Sequence, residues 1–206
     1  MIEQGTPEWH ELRRGKVTAS RVADILAKTK TGPSTSRQNY LIELAIQRAT
    51  GNIEPSYTNE AMQWGVENEG QARVEYEVQS GSFVDQVGFV DHPDIPNFGA
   101  SPDGLVGSVG LIEIKCPNSA THWSYIKVNS PPQKYMTQMQ AQMACTGREW
   151  CDFVSFDPRM PERSQLLVVR VQRDEAYIAM MEEEIKKFLD EVDQEVKLMK
   201  GNKNGN

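Results

Sequence analysis

Two acidic residues and a lysine lie close together in the stretch GASPDGLVGSVGLIEIKCP, residues 99–117. Asp103 is part of a Pro-Asp-Gly turn, and Glu113 and Lys115 follow ten and twelve residues later inside an apolar run. Because alternate side chains of a strand point the same way, Glu113 and Lys115 share one face. A hairpin through GLVGSVG returns Glu113 beside Asp103. The spacing therefore predicts a carboxylate pair with an adjacent lysine.

A carboxylate pair of this kind needs a cation, because two such groups repel each other unless one is protonated. Magnesium prefers oxygen ligands and keeps several waters, so Asp103, Glu113 and the backbone carbonyl of Ile114 are candidate ligands for one ion. Lys115 is then placed to orient or deprotonate an attacking water. Such a site hydrolyses phosphodiesters. A plain salt bridge at an exposed sheet edge explains Glu-x-Lys alone, but it explains the whole pattern poorly.

The elements around these residues predict an α/β (α+β) chain. A helix starts near Ser20, a favourable N-cap residue, and further helices cover residues 36–50, 59–79, 119–128, 132–147 and 173–200. Short segments rich in β-branched and aromatic residues predict a meander of strands between 82 and 117, and two more strands at 150–158 and 164–172. We expect a central mixed β-sheet flanked by helices, in a single domain over residues 1–206.

The composition narrows the class of protein. No apolar run among the 206 residues is long enough to span a membrane, and no apolar signal core follows Met1, which predicts a soluble, intracellular protein. Cys116, Cys145 and Cys151 match no common zinc pattern and are expected to be reduced and partly buried. The three histidines are too scattered in sequence for a zinc site, and the chain has no nucleophilic Ser or Cys motif. Metal-dependent hydrolysis is the chemistry that remains.

The net charge of −7 argues against a polyanionic partner, but the charge is unevenly distributed. Residues 1–50 hold eight Lys or Arg against five Asp or Glu, whereas residues 173–200 hold five against nine. The amino-terminal part is therefore locally basic and suited to nucleic acid. Its LRRG segment places Arg13 and Arg14 before a Thr-Ala-Ser helix start, a favourable place for a phosphate. Taken alone, both arginines are explained as well by ordinary surface charge.

Taken together, these segments resemble the PD-(D/E)XK nuclease superfamily and, within it, the phage lambda-type exonucleases of the YqaJ-like viral recombinase family. The segments EWHELRRGKVTAS, WGVENEGQAR, ASPDGLV with LIEIKCP, YMTQMQAQM and FDPRM follow the family's order, so the resemblance covers nearly the whole chain. It implies a restriction-endonuclease-like PD-(D/E)XK core. It also implies a Mg²⁺-dependent exonuclease that digests one strand of linear double-stranded DNA in the 5′-to-3′ direction, from 5′-phosphorylated ends to mononucleotides.

The resemblance assigns a role to one acid of the WGVENEGQAR helix. Glu67 and Glu69 face about 200° apart on a helix, so both cannot enter one site, and periodicity does not choose between them. The family's Gly-x-x-x-Glu pattern aligns Gly65 with Glu69. This alignment makes Glu69 the ligand of a second metal ion, shared with Asp103.

Further site residues follow from the same alignment. Arg13 aligns with the arginine that binds the terminal 5′ phosphate, and Ser20 and Ser101 align with hydroxyls near the phosphates. Gln138 aligns with a glutamine bordering the metal site, where a neutral amide orients a ligand or water. On the same helix, a structural role explains Tyr135 and Gln142 at least as well as a role in the site. A methionine stripe on that helix is expected to belong to the core.

The resemblance also implies the cofactors and partners. These are two Mg²⁺ ions per site, with Mn²⁺ as a substitute, double-stranded DNA ends, a single-strand annealing protein and a homotrimeric ring around the DNA. In such a ring the basic amino-terminal part is expected to line the channel while the acidic carboxy-terminal helix faces elsewhere. No membrane is involved, and the setting is phage-type DNA recombination in the cytoplasm of a bacterial host cell, with a phage or prophage origin.

Two alternatives remain open. One is another PD-(D/E)XK DNA nuclease, either a restriction-like endonuclease or a Cas4-like enzyme, although the Cas4-like form needs four cysteines for an iron–sulfur cluster and the chain has three. The other is a non-catalytic DNA-end-binding module that retains the fold.

Overall fold

The computed structural model describes residues 2–30, 32–53 and 59–201. In chain order its elements are α1 (Pro7–Arg13), β1 (Val17–Thr18), a 3₁₀ turn (Ala19–Arg21), α2 (Val22–Leu26), β2 (Lys28–Thr29), β3 (Gly32–Pro33), α3 (Thr35–Thr50), α4 (Glu60–Ser80), β4 (Val84–Asp85), β5 (Val90–Asp91), β6 (Phe98–Ala100), β7 (Gly104–Val106), β8 (Gly110–Lys115), α5 (Ser119–Val128), α6 (Gln133–Thr146), β9 (Trp150–Phe156), a second 3₁₀ turn (Glu162–Ser164), β10 (Leu166–Gln172) and α7 (Glu175–Met199). Helices flank a mixed sheet, as predicted.

The main sheet has five strands in the order β10-β9-β8-β7-β4. β8 and β9 run parallel, and the other neighbours are antiparallel. A parallel pair needs a long crossover connection, which α5 and α6 supply. β8 is the third of the five strands and is therefore the central one. The side chain of Glu113 on this strand is fully buried. The Glu-x-Lys segment lies inside the protein and not at an exposed sheet edge.

The strands predicted as one meander are divided between two sheets. β4, β7 and β8 belong to the main sheet, whereas β5 and β6 pair with β1 in a three-stranded sheet. β1 runs parallel to β6, with Val17 opposite Phe98 and Thr18 opposite Gly99. This pairing brings the amino-terminal segment beside the stretch that leads to Asp103. β1 is only two residues long, so its sequence carries no periodic pattern that predicts the pairing.

The helix expected to begin near Ser20 begins two residues later. Ala19–Arg21 form a 3₁₀ turn, and α2 starts at Val22 with Arg21 at the N-cap and no side-chain cap hydrogen bond. The prediction that Ser20 is an N-cap is therefore wrong. The hydroxyl of Ser20 lies 3.3 Å from that of Thr18, so its polar atom is directed to a neighbouring side chain instead. The remaining predicted helices occur within one or two residues of their expected bounds.

The carboxy-terminal helix α7 packs on the amino-terminal helix α3. Five of its buried residues follow at intervals of three and four, namely Ile178, Met181, Ile185, Phe188 and Val192, and Leu189 is buried beside them. Two ion pairs also join the helices, Arg37 with Glu191 at 2.7 Å and Arg48 with Asp193 at 2.7 Å. Two of the eight basic side chains of residues 1–50 therefore pair with carboxylates of the acidic helix, and the direction that this helix faces in a ring of protomers stays a prediction.

The expectation for the three cysteines is met. Cys116, Cys145 and Cys151 are free and buried. Burial raises the pKa of the Cys116 thiol to about 12, which keeps it protonated. In the part of the chain that the structure describes, no helix has the length and apolar character needed to cross a membrane.

Candidate active site

The hairpin of β7 and β8 brings Asp103 beside Glu113, as the spacing predicts. Gly104 pairs with Ile112 across the hairpin, so the next position outward places Asp103 opposite Glu113. The Oδ2 atom of Asp103 accepts a hydrogen bond from the backbone N–H of Ile114 at 2.6 Å. The turn that closes the hairpin contains Gly107 at φ +54°, a conformation that glycine adopts without strain. A short local hairpin therefore positions both carboxylates.

The Glu113 carboxylate is held from three sides. Lys115 forms an ion pair with its Oε1 atom. Gln138 donates to Oε1 and Gln142 donates to Oε2, each at 2.6 Å. Lys115 also donates to the carbonyl of Ile114 at 3.0 Å, so this predicted metal ligand contacts the ammonium group here. The prediction that Gln138 borders the site agrees with its contact, whereas the equal contribution of Gln142 is more than its sequence position indicated.

The electrostatics of the site follow from its burial. Burial raises the pKa of Asp103 well above its ordinary value, and the charge of Glu113 raises it further, while Lys115 lowers it. For Lys115, burial alone lowers the pKa, but the charges of Glu113 and Asp103 outweigh that effect and raise it. Lys115 is therefore a cation at neutral pH in this arrangement. Its two predicted roles, orienting a water and deprotonating it, both stay predictions.

Glu69 is the acid of α4 that faces the site. Its side chain is partly buried and accepts a hydrogen bond from Arg73 at 3.0 Å, and its charge contributes to the raised pKa of Asp103. Glu67 is exposed. The charge of Glu69 therefore acts on Asp103, whereas Glu67 is exposed, and the role of Glu69 as a metal ligand stays a prediction.

The donor set is suited to a hard divalent cation. The carboxylates of Asp103, Glu113 and Glu69 and the carbonyl of Ile114 supply oxygen atoms only. Arg73 pairs with Glu69, and Lys115 alone does not balance the charges of both Asp103 and Glu113. Within residues 2–30, 32–53 and 59–201, no three His, Cys, Asp or Glu side chains are arranged as a ready-made metal cage. Mg²⁺ is commonly bound by one or two carboxylates together with waters and substrate phosphates. Asp103 and Glu113 supply the two carboxylates that this mode of Mg²⁺ binding requires.

A cavity of about 160 Å³ reaches Gln138 and Gln142, the two amides that contact Glu113, while Asp103, Glu113 and Lys115 are not among its lining residues. Four predicted site residues line it, namely Arg13, Ser20, Ser101 and Gln138, together with Gln4, Trp9, Thr18, Ala19 and Gln142. The amides of Gln138 and Gln142 form the wall between this cavity and Glu113. Residues from four separate parts of the sequence therefore share one space.

Trp9 organises the polar side chains of this cavity. The guanidinium carbon of Arg13 lies 3.7 Å from the centre of a Trp9 ring, and the indole N–H donates to the Ser101 hydroxyl at 3.0 Å. Burial lowers the pKa of Arg13, and its Nε atom is buried without a hydrogen-bond partner among the described residues. Arg14 instead pairs with Glu11 at the surface. Sequence reasoning missed Trp9, although its position four residues before Arg13 on a helix places the two side chains on one face.

The mixed sheet, the Asp103 turn and the Glu-Ile-Lys of β8 together have the arrangement of a PD-(D/E)XK nuclease core. The sequence profile of the YqaJ-like viral recombinase domain matches residues 8–149. The chain belongs to this family, as its motifs predict.

Three solved structures that are similar to this chain are of exonucleases. The alkaline exonuclease LHK-Exo from Laribacter hongkongensis is 53% identical, with 95% of this chain and 96% of that chain covered and a TM-score of 0.89. The crystal structure of LHK-Exo in complex with dAMP has the same identity and coverage and a TM-score of 0.90. A phage-related exonuclease from Haemophilus somnus 129PT is 20% identical over 89% of this chain and 96% of that chain, with a TM-score of 0.70, and is similar in fold. A comparison with curated proteins gave no match.

Proposed function

We propose that this protein is a Mg²⁺-dependent exodeoxyribonuclease that digests one strand of linear duplex DNA from 5′-phosphorylated ends, in the 5′-to-3′ direction, to mononucleotides. One observation carries the proposal: Asp103, Glu113 and Lys115 converge, and two amides that contact Glu113 line the cavity that Arg13 also lines. Membership of a viral recombinase family and similarity to an alkaline exonuclease support it. A relative in complex with dAMP is consistent with a mononucleotide product.

Each residue near the cavity has a proposed task. Bound Mg²⁺ supplies water activation and offsets charge on the scissile phosphate, and Asp103, Glu113 and the Ile114 carbonyl would hold it. Glu69 would hold a second ion with Asp103, and Mn²⁺ would substitute. Lys115 orients the attacking water and balances the charge of Glu113.

The polar side chains of the cavity bind the DNA end. Arg13 holds the terminal 5′ phosphate through charge-assisted hydrogen bonds, and the hydroxyls of Ser20 and Ser101 contact neighbouring phosphate oxygens. Gln138 fixes one oxygen of Glu113 from the cavity side. The cavity therefore fixes the position of the DNA strand. The carboxylates act on the phosphodiester bond that this position brings to them.

The proposed setting is phage-type recombination by single-strand annealing in the cytoplasm of a bacterial host. The exposed 3′ strand would pass to an annealing protein, and three protomers would form a ring around the DNA. The ring rests chiefly on the resemblance, and the two ion pairs between α7 and α3 leave the uneven charge distribution as a weaker support.

The decisive experiment uses linear duplex DNA labelled at either end, with and without a 5′ phosphate, incubated with Mg²⁺ and compared with closed circular DNA. We expect release of mononucleotides from 5′-phosphorylated ends, no cutting of the circle and no reaction after chelation of the metal. Cutting of the circle would favour a restriction-like endonuclease. Binding of ends without any Mg²⁺-dependent digestion would favour the non-catalytic module.

Arg13→Ala is expected to reduce the preference for phosphorylated ends. A charge-assisted hydrogen bond is worth about 1.5–3 kcal/mol, so the rate ratio between 5′-phosphate and 5′-hydroxyl ends should fall by about 10-fold or more. Arg14→Ala is the matched control, since its guanidinium pairs with Glu11 outside the cavity. If Arg13→Ala and Arg14→Ala keep the same rate ratio, Arg13 does not bind the terminal phosphate.

A further inference from the structure

Two buried glutamines on α6 have different partners. Gln142 is fully buried, and its Nε2 atom donates to Oε2 of Glu113 at 2.6 Å. Gln140 is 4% exposed and contacts the start of α7, donating to the carbonyl of Gln172 at 2.8 Å and accepting from the N–H of Asp174 at 2.9 Å. The two side chains are alike in type, helix and burial, and only one of them touches the active-site carboxylate.

Oε2 of Glu113 depends on Gln142 for its hydrogen bond. Oε1 interacts with both Lys115 and Gln138. Among the described residues, Oε2 accepts a hydrogen bond from Gln142 alone. Apart from Asp103, apolar residues lie nearby: Glu113 pairs in register with Phe153, and Leu111 lies on the same face of β8. An oxygen of a buried carboxylate without a donor is strongly disfavoured, so loss of the Gln142 amide would let the carboxylate rotate or draw in water.

The amide of Gln142 has a fixed orientation. Its Oε1 atom accepts a weak contact from the Cys151 thiol at 3.9 Å, while its N–H group meets the carboxylate. Gln142 also lines the cavity that Arg13 and Ser101 share. The side chain therefore lies between the cavity and Glu113 and contacts both.

We propose that Gln142 is a positioning residue that fixes the rotation of the Glu113 carboxylate and thereby sets the affinity of the site for its metal ion. This inference rests on the proposed function, which makes Glu113 a metal ligand. Groups that orient a metal ligand typically change metal affinity or activity by about 10–100-fold when they are removed. Gln138 is not redundant with Gln142, because the two amides bind different oxygens of the carboxylate.

The test compares Gln142→Met with Gln140→Met, since methionine keeps the length of glutamine and removes its hydrogen bonds. Mn²⁺ binding is measured without DNA by electron paramagnetic resonance of the free ion, and digestion of 5′-phosphorylated duplex is measured against Mg²⁺ concentration. For Gln142→Met we expect about 10–100-fold weaker Mn²⁺ binding and a matching rise in the Mg²⁺ midpoint. For Gln140→Met we expect a lower melting temperature but metal binding and midpoint within about twofold of the unaltered protein.

Equal metal affinity in Gln142→Met and the unaltered protein would overturn the inference, as would an equal loss in Gln140→Met. If Gln142→Met does not fold, Gln142→Asn carries the same expectation, because its shorter side chain moves the amide away from Oε2. Failure of the unaltered protein to digest DNA, with Mn²⁺ binding still weakened in Gln142→Met, would refute the proposed nuclease function and leave the positioning role supported. Absence of Mn²⁺ binding by the unaltered protein would refute both.

Discussion

Asp103→Asn is expected to lower the rate of digestion of linear duplex DNA by on the order of a thousandfold. A metal ion at the scissile phosphate contributes several kcal/mol of transition-state stabilisation, and each 1.36 kcal/mol corresponds to a factor of ten in rate. Asparagine keeps an oxygen that can accept the N–H of Ile114, so the hairpin of β7 and β8 should remain closed. The measurement is single-turnover digestion at saturating enzyme, together with circular dichroism.

The same substitution should leave the stability of the metal-free protein unchanged or higher. Asp103 is near Glu113 and Glu69 with Lys115 as the adjacent cation, so a neutral side chain removes like-charge repulsion from a buried site. Asp85→Asn, on the exposed edge of β4, is the control and should change neither activity nor stability appreciably. A folded Asp103→Asn protein with near-normal turnover would remove the proposed active site.

Lys115→Met is expected to cause a comparable loss of digestion for a different reason. The ammonium group balances the fully buried charge of Glu113 and is placed to orient the attacking water. Removing one partner of a buried ion pair leaves the other charge uncompensated, which costs about 3–5 kcal/mol when both groups are fully buried. Because the Lys115 side chain is 27% exposed, we expect a loss near the lower end of that range. The melting temperature of the metal-free variant should therefore fall, and added Mg²⁺ should restore part of it by supplying the missing positive charge.

Lys134→Met is the matched control for this change. Lys134 lies 4.6 Å from the centre of the Tyr135 ring and Lys115 lies 5.4 Å from it, so both cations contact the same aromatic side chain. Lys115 alone of the two pairs with Glu113. We expect Lys134→Met to keep its activity and its response to Mg²⁺. If both variants lose stability equally, with no recovery in Mg²⁺, charge balance at Glu113 is not the role of Lys115.

The two substitutions therefore distinguish the effect of charge on stability from the effect on catalysis. Both should stop digestion, but Asp103→Asn removes a negative charge from the site and Lys115→Met removes a positive one, so their effects on the metal-free protein should differ in sign. Thermal unfolding with and without Mg²⁺ measures this difference directly. Equal destabilisation by both changes would indicate that packing, and not electrostatics, dominates their effects.

Several features of the site could be predicted because they are local in sequence. Asp103 and Glu113 are joined by a short hairpin, so strand alternation and one turn suffice to bring them together. The apolar residues around Glu113 indicated a buried strand, which the structure confirms as the central one. The choice of Glu69 over Glu67 required the family pattern, because helical periodicity excludes their joint use without saying which one faces the sheet.

The cavity depends on contacts that the sequence pattern does not contain. Trp9 reaches Ser101 across 92 positions of the chain, and β1 pairs with β6 although it has two residues. The contact of Gln142 with Glu113 depends on how α6 crosses β8, and the same residue type at Gln140 faces α7 instead. Residue type and helical spacing therefore do not distinguish Gln140 from Gln142.

The sequence by itself determined the carboxylate pair, the adjacent lysine, the helices and strands that carry them, and the family through its ordered motifs. These features depend on spacing within single elements or short hairpins, where backbone geometry fixes which side chains share a face. The tertiary structure decided that Glu113 is fully buried, that Arg13 stacks on Trp9 beside Ser101, and that α7 neutralises part of the basic amino-terminal segment. Those outcomes depend on how separate elements pack, which is set by the fit of whole apolar faces and not by the spacing of any one motif.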